Sequence, residues 1–132
     1  MKLITASIFL LCCSVSTDAL SNDERQNPEP KLNCKLGFDA LRENVRVIPD
    51  IEVMNAGEEF EAYSTGLIIY SLTRDGHYAH PMIFKRELYR DGKAIKLQMS
   101  SCGYNTKTNS DRLVKEFEEL NRELISSIRG TN

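Results

Sequence analysis

Residues 82–101 read MIFKRELYRDGKAIKLQMSS, and this stretch decides the fold. Two runs in which apolar and polar residues alternate, Met82–Arg90 and Lys93–Ser101, flank the pair Asp91-Gly92. Alternation of this kind is typical of strands with one buried face, and Asp-Gly is a preferred pair for a two-residue hairpin turn. The stretch therefore predicts an antiparallel hairpin.

The alternation also predicts which side chains share a face of this hairpin. We place Arg90 opposite Lys93, which leaves an apolar face interrupted only by Arg86. That face pairs Leu88 with Ile95, Arg86 with Leu97 and Phe84 with Met99. The other face is polar and sets Glu87 beside Lys96. A one-residue slip would mix the two faces, so the pattern specifies which one is buried.

The remaining patterns predict an α+β fold. Gly66–Thr73 reads as a further strand, and Arg74–Pro81 as a loop or bulged entry because Pro81 cannot donate to a ladder. Leu36–Val45 indicates a short helix, and Val45–Val53 an edge strand or extended segment. A wide apolar stripe predicts a long C-terminal helix, and it comprises Leu113, Val114, Phe117, Leu120, Leu124, Ile125 and Ile128. We expect an antiparallel meander of three or four strands, with this helix on one face and the N-terminal helix or segment on the other.

The N-terminal residues have the pattern of a secretory signal. Lys2 supplies a positive charge, residues 3–15 are mostly apolar, and Thr17 and Ala19 suit cleavage after Ala19. We expect residues 1–19 to be removed, residues 20–31 to form a flexible tether, and residues 32–132 to form one domain. The apolar run is too short for a transmembrane helix, and no later segment approaches the required length.

Cysteine usage follows from this expectation. Cleavage would leave only Cys34 and Cys102, which are expected to pair in the oxidising periplasm or extracellular space. Lipid anchoring at Cys13 is an alternative, although the residue before it is not small, as bacterial lipoprotein signals usually require. Two cysteines without a Cys-x-x-Cys spacing favour a structural disulfide over a redox or zinc site.

Charge narrows the class of partner. The formal net charge of the 132 residues is -2, which argues against general binding to nucleic acid or anionic membranes. Asp50–Glu61 holds five acids and no base, whereas Lys85–Lys96 holds five bases and two acids. The basic hairpin predicts an anionic ligand, glycan or acidic protein surface, unless the acidic segment lies against it and neutralises it.

The candidate ligand-binding residues are therefore Arg86, Lys85, Lys93 and Lys96. Arg86 stands out because the pairing points it into the apolar face, where it would reach water at an edge, meet a carboxylate or anchor an anion. The expected role is non-enzymatic binding of another protein, as an inhibitor, immunity or envelope accessory protein. Binding of a small anionic ligand or glycan is the alternative.

Enzymatic function is a third interpretation. Asp75, His77 and His80 lie close in sequence and include both imidazoles of the chain, so they could hold a transition metal or act in acid–base chemistry. Glu58, Glu59 and Glu61 form another acidic group. Neither set matches a catalytic motif, so we assign no catalytic residue, metal or cofactor.

Overall fold

The computed structural model describes residues 27–130, and it confirms the α+β class. The predicted leader, with its cleavage site and Cys13, lies outside these residues. Five strands and two helices follow a short 3₁₀ turn at Cys34–Leu36. In chain order they are α1 (Phe38–Arg46), β1 (Glu52–Met54), β2 (Phe60–Thr65), β3 (Ile68–Thr73), β4 (Met82–Asp91), β5 (Ala94–Gly103) and α2 (Lys107–Gly130). Neither helix is both long and apolar enough to span a bilayer.

The strands form one antiparallel sheet in the order β1-β2-β3-β4-β5. The predicted hairpin of β4 and β5 is present, and Arg74–Pro81 forms the expected loop, with the β3–β4 ladder described from Leu72 opposite Ile83. The sequence interpretation missed β2, because the acids at its start suggested a solvated loop. It predicted an edge strand within Val45–Val53, and the short strand β1 lies at the end of that segment.

The predicted register of the hairpin was wrong by two residues. Leu88 faces Leu97 and Arg86 faces Met99, since Asp91 pairs with Ala94 and the turn centres on Gly92-Lys93. Gly92 has φ +65, whereas Lys93 is not in the left-handed region, which is the pattern of a turn that requires glycine first. An even shift preserves the faces, so Arg86 still points to the apolar side.

The polar pairs of the hairpin change with this register. Glu87 faces Gln98 instead of Lys96, and Lys85 faces Ser100. Lys96 instead binds Asp91, with Nζ 2.6 Å from Oδ2. The predicted cross-strand Glu87–Lys96 pair is therefore not formed.

Helix α2 packs on one face of the sheet, as predicted. Its buried residues Leu113 and Phe117 meet Met82 and Phe84 of β4 and Ala79 of the preceding loop. The helix begins at Lys107, where the Thr106 hydroxyl accepts a hydrogen bond from the Asn109 amide at 3.2 Å. Such a cap satisfies a backbone donor that the first helical turn leaves unpaired.

Helix α1 covers the other face. Its residues Leu41 and Val45 are buried, and they belong to a core cluster that includes residues of β2–β5, namely Tyr63, Ile68, Tyr70, Leu72, Ile83 and Cys102. This arrangement confirms a short N-terminal helix on the second face. The β3 side chains that face α1 are Ile68, Tyr70 and Leu72.

An N-terminal strap also lies on this second face, and we define it as residues 27–33. The Glu29 amide donates to Glu87 Oε1 at 2.8 Å, and the Leu32 amide donates to Ser100 Oγ at 3.3 Å. Within the predicted tether, Glu29 and Pro30 therefore contact the sheet. The strap leads directly to Cys34, whose sulfur lies at disulfide distance from that of Cys102, with Cα atoms 5.3 Å apart.

Glu61 joins α1 to the sheet through two arginines. Its carboxylate accepts hydrogen bonds from Arg42 and Arg46, the latter at 3.1 Å, and the Arg46 Nε donates to the Tyr63 hydroxyl at 3.0 Å. Burial alone would raise the pKa of Glu61, but the hydrogen bonds and charges of both arginines outweigh it and hold the pKa below its usual value. The carboxyl group of Glu61 is therefore ionised in the folded protein at neutral pH.

We expect Glu61→Gln to lower the free energy of unfolding at pH 7 by about 1 kcal/mol. The effect stays small because the side chains of Arg42 and Arg46 are 37% and 35% exposed, and solvent screens part of the attraction. A carboxylate with a depressed folded-state pKa stabilises the fold above its unfolded pKa, and this contribution disappears as the pH falls through the folded value. Urea unfolding of both proteins from pH 7 to pH 2.5 should thus show a difference that shrinks below about pH 4. A constant difference would show that Glu61 acts by packing alone.

Candidate functional site

The predicted basic residues do not form one surface. Lys85 and Arg86 are neighbours on β4 and therefore point to opposite faces of the sheet. The side chain of Lys85 is only 9% exposed, and its Nζ binds Glu29 Oε2 and the Pro30 carbonyl, both at 3.0 Å. Lys85 thus fastens the strap and is not available to a partner.

The other two lysines lie at the far end of the hairpin. Lys93 is exposed in the turn, and Lys96 is held by Asp91. The acidic segment lies elsewhere, because Glu61 pairs with α1 and β1 and β2 are at the other end of the sheet from β5. Arg86 therefore does not share one surface with Lys85 and Lys93, and Lys96 is already paired with Asp91.

Arg86 lies between the sheet and α2. Its guanidinium carbon is 5.1 Å from the centre of the Phe117 ring, and its Nη1 is 3.4 Å from Asn121 Oδ1. Its Nε is buried without a hydrogen-bond partner. No described carboxylate pairs with it, and burial lowers its pKa from the usual value. Removing a guanidinium from water costs free energy unless hydrogen bonds or an opposite charge replace its hydration.

Asn121 is the residue that the sequence interpretation missed. It is 9% exposed and occupies a position on the apolar stripe of α2, four residues after Phe117. Its Oδ1 accepts from Arg86, and its Nδ2 lies 3.3 Å from the Met99 sulfur. The available signal was a polar residue at a helical core position, facing a strand whose own apolar face contains an arginine.

A groove of about 830 Å³ runs between β5 and the C-terminal half of α2. Its volume is typical of ligand-binding clefts. Asn121 and Met99 belong to its wall, so the groove lies next to Arg86. The apolar lining residues are Ile95, Leu97, Met99, Ile125 and Tyr89, and the charged ones are Lys96, Arg122, Arg129 and Glu118. Lys96 is paired with Asp91, so the positive rim of the groove consists of Arg129 and of Arg122, which makes only a long, exposed contact of 3.9 Å with Glu119.

The outer edge of β5 borders this groove. β5 is the last strand of the sheet, and over residues 27–130 no backbone hydrogen bond joins its outer edge to another element. The disulfide sulfur of Cys34 comes within 3.5 Å of the Ser101 carbonyl near the strand's end. A ten-residue strand with an open edge can pair with an extended segment of another chain.

The loop before β4 does not bring its three candidate ligands together. His77 stacks on Tyr78, with ring centres 4.6 Å apart, and its Nδ1 accepts from the Ala79 amide. His80 Nδ1 lies 3.0 Å from the Thr73 carbonyl, while its Nε2 is 3.8 Å from Asp75. Within residues 27–130 no three His, Cys, Asp or Glu side chains are placed to hold a metal ion. These contacts fit a structural loop.

A second cleft, of about 800 Å³, lies between α1 and this loop. His80, Arg42 and Glu61 are among its lining residues. His80 Nδ1 lies 2.8 Å from the Thr73 hydroxyl and 3.0 Å from the Thr73 carbonyl, so this ring nitrogen is used in a contact with β3. Arg42 is held by Glu61, and Arg74 Nε donates to the Phe60 carbonyl at 2.9 Å. Arg42, Glu61 and Arg74 are thus used in holding the fold, while Asp39 and the exposed Asp75 also line the cleft.

Comparison with known proteins gives no family for this chain. No family model, curated protein or solved structure matches it. Its function must therefore be argued from its own residues.

Proposed function

We propose that this chain is an exported, non-enzymatic binding protein that captures another protein in the groove between β5 and α2. It would act in the periplasm or outside the cell, as an inhibitor, immunity or envelope accessory protein. The signal-like residues 1–19 and the Cys34–Cys102 pair support export, because disulfides persist in oxidising compartments.

The observation that carries the proposal is the open edge of β5 beside a groove with an apolar floor. An extended segment that adds to a strand edge gains backbone hydrogen bonds, and alternate side chains enter neighbouring pockets. Here the residues on the α2 side of β5, Ile95, Leu97 and Met99, are only partly buried. A docked segment would cover them.

The positive rim indicates the charge of the partner. Arg122 and Arg129 border the groove, and Glu118 is its one acidic lining residue. Complementary charges raise the rate of encounter and select against the wrong partner. The favoured partner is therefore an acidic segment with alternating apolar residues.

Photo-crosslinking and charge reversal test this proposal together. With a photoreactive residue at Leu97, we expect the protein to crosslink one partner in its native host. The same residue at Val47, which is 72% exposed outside the groove, serves as the matched site and should not crosslink that partner. Combined Arg122→Glu and Arg129→Glu changes should reduce capture about tenfold at low salt, and less at high salt.

The matched control for charge reversal is Lys115→Glu, which changes an exposed base of α2 that does not line the groove. Capture and the melting temperature should stay at the wild-type level in this variant. Equal loss of capture in the control and in the groove variant would contradict the proposed site, as would crosslinking that is independent of position.

A small anionic ligand is the second candidate. The observation that favours it is the partly buried guanidinium of Arg86, whose Nε is buried without a hydrogen-bond partner and which lacks a carboxylate partner among the described residues. Lys85 would not share that site because it lies on the opposite face, and Lys96, which lines the groove, is paired with Asp91.

A further inference from the structure

Arg86 is a poor choice for stability alone. A cation in an apolar face loses hydration, and here the compensation is incomplete: Nε is buried without a partner, and the Asn121 contact at 3.4 Å is long. The cation–π contact with the Phe117 ring offsets only part of the lost hydration free energy. A methionine would fill similar volume without a charge to desolvate.

The chemistry of the guanidinium defines what would complete the site. It carries donors only, arranged in a planar fork that matches the two oxygens of a carboxylate. Asn121 offers a single neutral oxygen at a position where a carboxylate would bind more strongly. Asn121 and Met99 separate Arg86 from the groove, and the methionine is flexible enough to move aside.

We infer that Arg86 is the specificity anchor of the groove, and that it binds an Asp or Glu side chain of a partner strand docked along β5. The inference rests on the proposed function and names the partner chemistry at the same site. The partner's carboxylate would take the place of Asn121 Oδ1 as the acceptor for Arg86. The apolar side chains of the partner on either side of that acid would occupy the groove. The rim arginines attract the acidic segment, and Arg86 selects one acid within it.

The test uses a designed strand as the probe. The peptide Ser-Thr-Val-Thr-Glu-Thr-Val-Thr-Ser, with blocked ends, places Glu and both Val side chains on one side. Its counterpart has Gln in place of Glu. Titration into the full mature protein, followed by amide chemical shifts, should show the Glu peptide binding at β5 and α2 about tenfold more tightly than the Gln peptide.

Variants of Arg86 supply the decisive comparison. With Arg86→Met the preference for Glu over Gln should disappear, because the two changes act on one contact. The same variant should melt higher than wild type, since a partly buried charge with incomplete hydrogen bonding is removed. Arg86→Lys keeps the charge without the planar fork and should retain only part of the preference. With the captured partner itself, Arg86→Met should weaken affinity about 30-fold or more.

The outcomes separate this inference from the proposed function. Equal binding of both peptides, or of neither, overturns the role of Arg86, while position-dependent crosslinking of a partner would still support strand capture. A preference for Glu that survives in Arg86→Met also overturns it. Decanoate provides the alternative occupant: if it binds in an Arg86-dependent way and neither peptide does, the site accepts a free amphiphilic acid and the protein-strand inference is wrong.

Discussion

Replacing Phe84 by alanine is expected to lower the free energy of unfolding by about 4 kcal/mol. Phe84 is a residue of β4 and is fully buried between the sheet and α2. Its ring stacks on that of Phe117, with centres 3.9 Å apart and planes inclined by 10°. Alanine would leave a cavity at the main contact between helix and sheet. Denaturant unfolding followed by circular dichroism measures the loss, which corresponds to a fall in melting temperature of roughly 15–30 °C.

The control for Phe84 is an exposed apolar residue. Leu67 is 51% exposed, so Leu67→Ala should cost less than about 1 kcal/mol. If both variants lose the same stability, or if Phe84→Ala loses less than about 1 kcal/mol, α2 does not pack on the sheet as described.

Loss of the Cys34–Cys102 disulfide is expected to destabilise the fold by a similar amount. The two residues are 68 apart in sequence, and the chain-entropy model assigns about 4 kcal/mol to closing a loop of this length. Cys102 is 2% exposed within the α1 core, so alanine is preferable to serine because it leaves no buried hydroxyl unpaired. Thermal unfolding of the Cys34→Ala, Cys102→Ala variant and of the wild type measures the difference.

Reducing agent supplies the control for this comparison. Dithiothreitol should lower the midpoint of the wild type toward that of the double variant and leave the variant unchanged. A wild-type midpoint that does not respond to reductant, together with free thiols in the denatured protein, would contradict the crosslink.

The fold was predictable where local patterns act alone. The alternation in β4 and β5 and the stripe of α2 are signals within single elements, and all three elements are present as expected. The register of the hairpin was not predictable. Gly92 can be the second central residue of a turn Asp91-Gly92 or the first of a turn Gly92-Lys93, and only the backbone conformation distinguishes these two turns. β2 was missed because the acids at its start, Glu59 and Glu61, suggested a solvated loop. The carboxylate of Glu61 is instead paired with arginines of α1, which lie far from it in sequence.

The candidate site shows the same division. Arg86 was found from the alternation of faces, which an even register shift does not change. Lys85 was expected to be available because its charge suggested exposure, but its environment comes from Glu29, 56 residues away in sequence. No pattern of neighbouring residues in the sequence indicates a contact between residues so far apart. Asn121 gains its significance only beside Arg86, and the sequence places those two residues on separate elements.

The crosslink between Cys34 and Cys102 also sets how the molecule would respond to mechanical tension applied at its two ends. The covalent path from one end to the other passes through the sulfur atoms and bypasses α1 and nearly the whole sheet, which lie within the bridged segment. Force would therefore extend the strap and α2 and leave most strands unloaded. A partner docked on β5 would consequently lose the helical wall of its groove before it lost the strand to which it is paired.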